Sequence, residues 1–211
     1  MDRITALARK NLPDGFWGDQ ALPEGGYKQV YLTFDDGPDP HTTPWLLELL
    51  EEAGVKATFF LIGSHVARHE HLVEKIHRGG HTIGNHSFNH YLMPVLTVAA
   101  AESEIDRTNR LISDITGSAP KIFRPPYGVI DQRGADCLRE RDMKPVYWGA
   151  VPEDWSAPGA DRVVNRVLKR LSPGTLVVLH EHRLLRNQTL QAAKQIICKG
   201  KELGYDFATV I

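Results

Sequence analysis

Short apolar runs alternate with amphipathic segments along most of the chain. The apolar runs, which are rich in β-branched and aromatic residues, predict strands at residues 30–34, 57–62, 81–84, 122–124, 144–149, 175–180 and 206–210. The amphipathic segments between them, bounded by Thr, Pro and Gly, predict helices at residues 45–52, 71–78, 97–116, 134–141, 161–171 and 189–203. Regular alternation of strands and helices is typical of a parallel sheet covered by helices. We therefore predict an α/β fold with about seven parallel strands.

The beginning of the chain does not share this pattern. Residues 1–27 are rich in Gly, Pro and Asp, so we predict an N-terminal extension on the surface. Residues 28–211 contain no repeat, low-complexity tract or linker, and we predict that they form one domain. Residues 1–10 also lack the continuous apolar stretch of a secretory signal, which favours a cytoplasmic location.

Composition and charge exclude several classes of partner. The 211 residues include 25 Lys and Arg and 26 Asp and Glu, well interspersed, so we expect no binding to nucleic acid or to an anionic membrane. No stretch approaches the ~20 apolar residues that a membrane helix needs. Cys137 and Cys198 are predicted to be two separate buried thiols, and a disulfide between them stays open. Nothing in the sequence sets the oligomeric state.

Polar residues with chemical potential gather at the ends of the predicted strands. They follow the first, third, fourth, fifth and sixth strands: Asp35, Asp36, His86, His90, Arg124, Asp154 and His180. In α/β barrels the C-terminal ends of the strands converge on one mouth. We therefore predict that these side chains share a single site.

The two adjacent aspartates, Asp35 and Asp36, raise a geometric question. Neighbouring residues in a regular strand point to opposite faces, so both can serve one site only where the strand stops. The following Gly37-Pro38 predicts such a stop. A turn closed by an Asp side chain, without further function, is an equal alternative from this segment alone.

The histidines His86 and His90 are four residues apart. On a helical turn this spacing places both imidazoles on one face, within reach of one metal ion. Together with the carboxylate of Asp36 they would form a three-ligand site with room for water. Zn²⁺ suits this ligand set, and other divalent first-row metals, Co²⁺, Ni²⁺ and Mn²⁺ among them, are compatible. A pair of surface histidines on a loop is the alternative.

Five segments in order resemble the motifs of a known family. They are Thr33–Pro38 (TFDDGP), His86–His90 (HSFNH), Arg124–Gly128 (RPPYG), Asp154-Trp155 and Leu176–His180 (LVVLH). Together they resemble the polysaccharide deacetylases, that is the NodB-homology domain or carbohydrate esterase family 4. The resemblance implies that residues 28–211 form a distorted (β/α) barrel. It also implies metal-dependent removal of acetyl groups from an acetylated carbohydrate, most simply an oligo- or polysaccharide containing N-acetylglucosamine.

The resemblance also implies roles for the metal and for the proton donors and acceptors. Asp36, His86 and His90 would hold the metal. Asp35 would be the general base, oriented by Arg124.

His180 would be the general acid, and Asp154 would set its orientation and pKa. The backbone N–H of Tyr127 would help to stabilise the oxyanion, and Trp155 and Leu176 would wall an apolar pocket for the acetyl methyl group.

Two other functions stay open. The same fold could cleave a small non-sugar amide, or it could be an inactive carbohydrate-binding relative. Inactive relatives usually lose a metal ligand or the base, and this chain keeps them all. One position departs from the family, because many members have an Asp where this chain has Val151.

Some other conspicuous residues are predicted to be structural. Trp45, Phe59 and Phe60 are predicted core residues, and Trp17 and Trp148 are predicted to be buried or to form a wall. The remaining histidines are predicted not to be metal ligands, with His182 nearest to the proposed mouth: His41, His65, His69, His71, His77, His81 and His182.

Overall fold

The computed structural model describes Gly15 and residues 28–210, so the predicted extension over residues 1–27, with Trp17, lies outside the described residues except for Gly15. Residues 28–210 form one sheet of seven strands, all paired in parallel. The strands are β1 Gln29–Gly37, β2 Thr58–Leu61, β3 Thr82–Asn85, β4 Ile122–Phe123, β5 Lys144–Pro145, β6 Leu176–His180 and β7 Asp206–Ala208. Each of the predicted strand segments overlaps one of them.

Helices connect the strands and cover the sheet. They are α1 Thr43–Glu52, α2 Gly63–Val66, α3 Glu70–Arg78, α4 Val98–Thr116, α5 Gln132–Glu140, α6 Ala160–Leu168 and α7 Arg186–Glu202. The longest, α4, begins where the Thr97 side chain accepts a hydrogen bond from the N–H of Ala100, and it ends at Gly117 in the left-handed conformation. The six predicted helices are present, whereas the single turn of α2 was not predicted because it is too short to show a period.

The strand order β5-β4-β3-β2-β1-β6 closes into a distorted barrel. Closure comes from the segment after β5, where Ala150 pairs in parallel with Val177 of β6. The N–H of Ala150 donates to the carbonyl of Leu176 over 2.7 Å, and the N–H of Val178 donates to the carbonyl of Ala150 over 3.1 Å. The last strand, β7, pairs with the beginning of β1 and lies outside this strand order. The predicted α/β barrel fold is confirmed.

Alternate positions along the strands separate two apolar layers. In β6, Val177 and Leu179 pack outward with Phe59 against the helices. On the inner side, Leu176 packs with Phe60 and with the beginnings of other strands. Phe59 and Phe60 are therefore core residues as predicted, because adjacent positions of β2 are buried on both faces.

Two predictions about buried residues are wrong. Trp45 is half exposed, because it lies on the outer side of α1, where the Arg186 guanidinium stands over its ring at 5.8 Å. Cys198 is exposed on α7 while Cys137 is buried, and both thiols are free, so the disulfide alternative is not realised. Among the described residues no helix combines the length and the apolar character that crossing a membrane requires.

Candidate active site

The end of β1 brings two adjacent aspartates to one side of the barrel. Asp36 has a φ of 71°, in the left-handed region, and the pairing of β1 with β2 shifts register between Asp35 and Gly37. This bulge breaks the alternation of the strand, so both carboxyl groups line the same cavity. The prediction that the strand stops at the aspartates is wrong, because β1 runs through both of them to Gly37, and the bulge at Asp36 is what brings the two side chains to one site.

The segment from His86 to His90 is a loop, and the helical turn that was predicted there is wrong. Ser87 and His90 have φ values of 62° and 58°, which no regular helix contains. The Ser87 hydroxyl accepts a hydrogen bond from the N–H of His90 over 2.9 Å. The loop thus folds back on itself and turns both imidazoles toward Asp36.

The atoms of Asp36, His86 and His90 fit a metal site. Nε2 of His86 lies 3.5 Å from Oδ1 of Asp36, and Nε2 of His90 lies 3.4 Å from the same oxygen. That oxygen is buried and has no hydrogen-bond partner, which is unfavourable unless another group satisfies it. The three candidate ligand atoms all lie within 4.8 Å of one another, and this is the group of side chains in the described part of the chain that could hold a metal ion.

Hydrogen bonds outside the trio fix the ligand atoms. Nδ1 of His86 donates to the carbonyl of Arg124 over 2.6 Å, which leaves Nε2 free to bind a metal. Nδ1 of His65, on α2, donates to the carbonyl of Asp36 over 2.9 Å. His65 was predicted not to be a ligand, and in the structure it supports the backbone of one.

Electrostatics favour the ligand forms of these groups. Burial alone would raise the pKa of Asp36, but the close contact with the His86 imidazole, together with the charges of His180 and His90, holds it well below the usual range. Burial, and then the charge of His86, lower the pKa of His90. An ionised carboxylate and a neutral imidazole are the forms that bind a divalent metal.

Asp35 and Arg124 form a buried ion pair beside the trio. Nη1 of Arg124 donates to Oδ1 of Asp35 over 2.6 Å and to the Thr33 hydroxyl over 2.7 Å, and Nη2 donates to the carbonyl of Tyr147 over 3.1 Å. The guanidinium carbon stands 4.0 Å from the centre of the Phe60 ring. Both partners are almost fully buried, so this geometry leaves Asp35 little freedom to turn.

His180 ends β6 as the register partner of Asp35 on the neighbouring strand. Its Nδ1 donates to Oδ1 of Asp154 over 2.8 Å, and its backbone N–H donates to Oδ2 of the same carboxylate over 2.8 Å. Burial would lower the pKa of His180, but the hydrogen bond and charge of Asp154, with Asp35 and Asp36 beyond, raise it to about 9. His180 therefore carries a proton at neutral pH.

The turn after β4 lies beside the metal trio and lines the same cavity. Tyr127 has a φ of 56° and Gly128 a φ of 67°. A Cβ on Gly128 would lie 1.0 Å from an atom of the Trp148 ring, so the indole packs directly against this turn. The Tyr127 ring is largely exposed and lies 4.7 Å from the His90 ring.

These groups surround one cavity of about 440 Å³. Eight of the predicted site residues line it: Asp35, Asp36, His86, His90, Arg124, Tyr127, Trp155 and His180. Asp154 is fully buried behind His180. The prediction that Leu176 walls the cavity is wrong, because that side chain lies at the start of β6, four residues before His180, in the interior cluster.

Several residues of the site were missed or misjudged by sequence reasoning. Val178 lines the cavity in place of Leu176. Side chains of a strand alternate between its two faces, so the second residue before His180 could have been predicted to lie beside it. Val151 and Trp148 complete the wall, the latter as one of the alternatives predicted for it. His182 is exposed, accepts a hydrogen bond from the N–H of Leu184, and is not among the described residues that line the cavity.

Comparisons with known proteins agree with this geometry. The profile of the polysaccharide deacetylase family matches residues 23–146. A peptidoglycan-N-acetylglucosamine deacetylase of Bacillus cereus is 37% identical over 206 residues, which cover 97% of this chain and 96% of that protein. A chitooligosaccharide deacetylase of Bradyrhizobium sp. is 33% identical over 193 residues, 86% of this chain and 88% of that protein.

The fold comparison gives the same answer. A solved structure of a peptidoglycan N-acetylglucosamine deacetylase, bound to 4-naphthalen-1-yl-N-oxidanyl-benzamide, superposes with a TM-score of 0.85 at 33% identity. The match covers 88% of this chain and 87% of that one. Sequence, barrel and site geometry agree over most of the chain, and the protein therefore belongs to the polysaccharide deacetylase family of hydrolases.

Proposed function

We propose that this protein hydrolyses the N-acetyl group of N-acetylglucosamine units in an oligo- or polysaccharide, with Zn²⁺ as the metal. The observation that carries the proposal is that three groups of side chains with different chemistry converge on one cavity. These are an unsatisfied carboxylate oxygen beside two imidazoles, the buried pair of Asp35 and Arg124, and a protonated His180 backed by Asp154. Metal-assisted amide hydrolysis uses a metal, a general base and a general acid, and these three groups can supply them.

Asp36, His86 and His90 would hold the metal. One carboxylate and two imidazoles with an open position suit Zn²⁺ and several other divalent first-row ions. When bound, the metal supplies Lewis-acid activation of water and of the acetyl carbonyl. The unsatisfied oxygen of Asp36 and the orientation of His86 by the Arg124 carbonyl support this assignment.

Asp35 acts as the general base. Its carboxylate takes a proton from the attacking water as the water oxygen adds to the acetyl carbon. Arg124 holds the buried carboxylate in place through the hydrogen bond from Nη1. A positioned base of this kind contributes ~10²–10⁴-fold to the rate.

His180 acts as the general acid. Breaking the C–N bond gives a poor leaving group unless the nitrogen receives a proton, and Nε2 of His180 supplies it. Acetate leaves, and the sugar nitrogen becomes an amine. The pKa of about 9 for His180 means that the proton is present at neutral pH, and Asp154 keeps the imidazole in the required orientation.

The remaining walls suit an acetyl group. The backbone N–H of Tyr127 would donate to the carbonyl oxygen as negative charge develops there, since Tyr127 lines the cavity beside the metal trio. Trp155, Val151 and Val178 provide an apolar wall of a size that suits a methyl group.

The substrate class follows from the relatives. One named relative deacetylates N-acetylglucosamine of peptidoglycan and another acts on chitooligosaccharides. N-acetylglucosamine is the unit that these two substrates share. The proposal is therefore limited to that unit and leaves the length and the linkage of the glycan to experiment.

Acetate release tests the proposal. Purified protein is incubated with N-acetylated chitooligosaccharides and, separately, with peptidoglycan fragments, after chelation and after addition of Zn²⁺. We expect release that chelation removes and Zn²⁺ restores. Failure to release acetate from every glycan containing N-acetylglucosamine, with Zn²⁺ bound and the circular dichroism spectrum unchanged, would refute the assigned substrate and leave small amides as the next class to assay.

A further inference from the structure

An acidic residue lies on the buried face of α4. This face consists of Ala101, Glu104, Ile105, Thr108 and Ile112, so Glu104 occupies a position where the helical period predicts an apolar residue. A buried carboxylate is costly unless hydrogen-bond donors surround it. The hydrogen-bond donors around the Glu104 carboxylate therefore indicate the role of this residue.

All three donors come from the loop between the two candidate metal-binding histidines. Oε2 of Glu104 accepts the backbone N–H of Phe88 over 3.0 Å and that of Asn89 over 2.6 Å. Oε1 accepts Nδ2 of Asn89 over 2.6 Å. The carboxylate thus binds the residues directly before His90 and no other group of the described chain.

The loop needs support of this kind. Ser87 and His90 have left-handed backbone conformations, which are unfavourable for residues other than glycine. At its other end the Asn85 side chain accepts the N–H of Ser87 over 2.7 Å and donates to Asn109 of α4 over 2.8 Å. Between these ends, Glu104 is the one acceptor in the described part of the chain for the N–H groups of Phe88 and Asn89.

We infer that Glu104 is a positioning residue that fixes the loop so that His86 and His90 present Nε2 to the same metal ion. The inference rests on the proposed metal site. Glu104 acts by shape, because its two oxygens match three N–H donors. Its negative charge is incidental to this role, and the two contributions can be separated by substitution.

A pair of variants separates shape from charge. Glu104→Gln removes the charge but keeps the length: its Oε1 can accept both backbone N–H groups, and its amide can donate to Asn89 once the Asn89 amide is flipped. Glu104→Asp keeps the charge but is one methylene shorter, so it cannot reach the same donors. Glu104→Ala removes all three bonds, and Glu102→Ala is the matched control, because Glu102 is on the same helix and faces Arg141.

The readout is the Zn²⁺ dissociation constant, measured by competition with a chromophoric chelator, together with thermal unfolding of each metal-free variant. We expect Glu104→Asp and Glu104→Ala to weaken Zn²⁺ binding by about 10–100-fold, the usual effect of losing a partner that orients ligands. Glu104→Gln and Glu102→Ala should bind nearly as tightly as the parent protein. Acetate release should follow the Zn²⁺ affinity and recover at high Zn²⁺ concentration.

The other outcomes overturn the inference. If Glu104→Asp binds Zn²⁺ normally and Glu104→Gln does not, then charge decides and the positioning role is wrong. Equal affinity in all four variants would also contradict it. A parent protein that binds no Zn²⁺ would instead refute the metal site itself, so failure of the inference and failure of the proposed function are distinguishable. Should Glu104→Ala not fold, the Asp and Gln variants still decide.

Discussion

The two halves of the site are built in different ways. On the proton-transfer side, Asp35 and His180 lie at the ends of adjacent strands β1 and β6, and each is held by a buried partner of opposite charge. On the metal side, Asp36 and His90 both have left-handed backbone conformations. Side chains of α2 and α4, which contribute no ligand, hydrogen-bond to Asp36 and to the residues before His90.

This difference shows how the barrel divides its tasks. The proton-transfer groups are fixed by the same strand pairing and burial that stabilise the fold. The metal ligands depend on a bulge and a loop, which need additional hydrogen bonds from His65 and Glu104. Changes on the first side should therefore leave metal binding intact, whereas changes on the second side should remove metal and leave the fold in place.

The largest expected effect comes from the adjacent aspartates, which belong to opposite sides. Asp35→Asn should lower kcat by about 10²–10⁴-fold, the contribution of a general base, and leave Zn²⁺ affinity unchanged. Asp36→Asn should lose both activity and Zn²⁺ binding, because an amide is a weaker ligand than a carboxylate. Acetate release and chelator competition on the two variants measure this. Loss of Zn²⁺ binding in Asp35→Asn would show that the two sides are not separable.

The turn that carries the Tyr127 N–H should be nearly as sensitive. Gly128→Ala would place a methyl group in the Trp148 ring and move that N–H, so we expect kcat to fall by up to about 10²–10³-fold, as when an oxyanion donor is lost.

A matched glycine provides the control for this prediction. Gly117 has a φ of 81° and nothing within 4 Å of its Cβ position, so Gly117→Ala should cost about 1–2 kcal/mol of unfolding free energy and leave kcat unchanged. Gly128→Ala should cost a further ~1–3 kcal/mol from the clash. Both quantities follow from urea unfolding and steady-state kinetics, and equal kcat values in the two variants would contradict a role for the turn.

The acid side is expected to respond through pH. The rate requires protonated His180, so activity should fall as pH rises through its pKa of about 9. In Asp154→Asn the positive imidazolium loses its anionic partner, so the pKa of His180 falls and the alkaline limb of kcat/KM moves to lower pH. At pH 8 we expect a loss of up to about 10²-fold. Glu153→Gln, next in sequence and exposed, should leave the limb in place, and an unshifted limb in Asp154→Asn would argue against His180 as the acid.

How much the sequence revealed differs between these two sides. The period of strands and helices predicted the barrel, and the strand ends predicted Asp35, Arg124 and His180, because regular elements leave regular patterns. The loop from His86 to His90 was predicted as a helical turn, since spacing alone does not distinguish a turn from a loop that doubles back.

The residues that support the loop left a weaker signal in the sequence. Glu104 interrupts an apolar stripe on α4, but the sequence does not say what its carboxylate binds. His65 likewise contacts the site through a bond between segments distant in the chain, and no local pattern records such a bond.

The smallest expected effect concerns the apolar wall, where Leu176 was predicted and Val178 was found. Leu176→Ala empties space in the interior cluster, so unfolding free energy should fall by about 2–5 kcal/mol, while the folded fraction should keep its kcat/KM. Val178→Ala should lower kcat/KM for an N-acetyl sugar by about 10-fold. This is the lower end of the range expected when a pocket contact is lost, because Trp155 and Val151 also form the wall. The same variant should raise kcat/KM for the N-propionyl analogue relative to that for the N-acetyl sugar, since the shortened side chain leaves room for one more carbon. Competition between the two sugars measures this ratio directly. If Leu176→Ala changed the ratio as much as Val178→Ala, the acyl group would lie one layer deeper in the barrel than the cavity indicates.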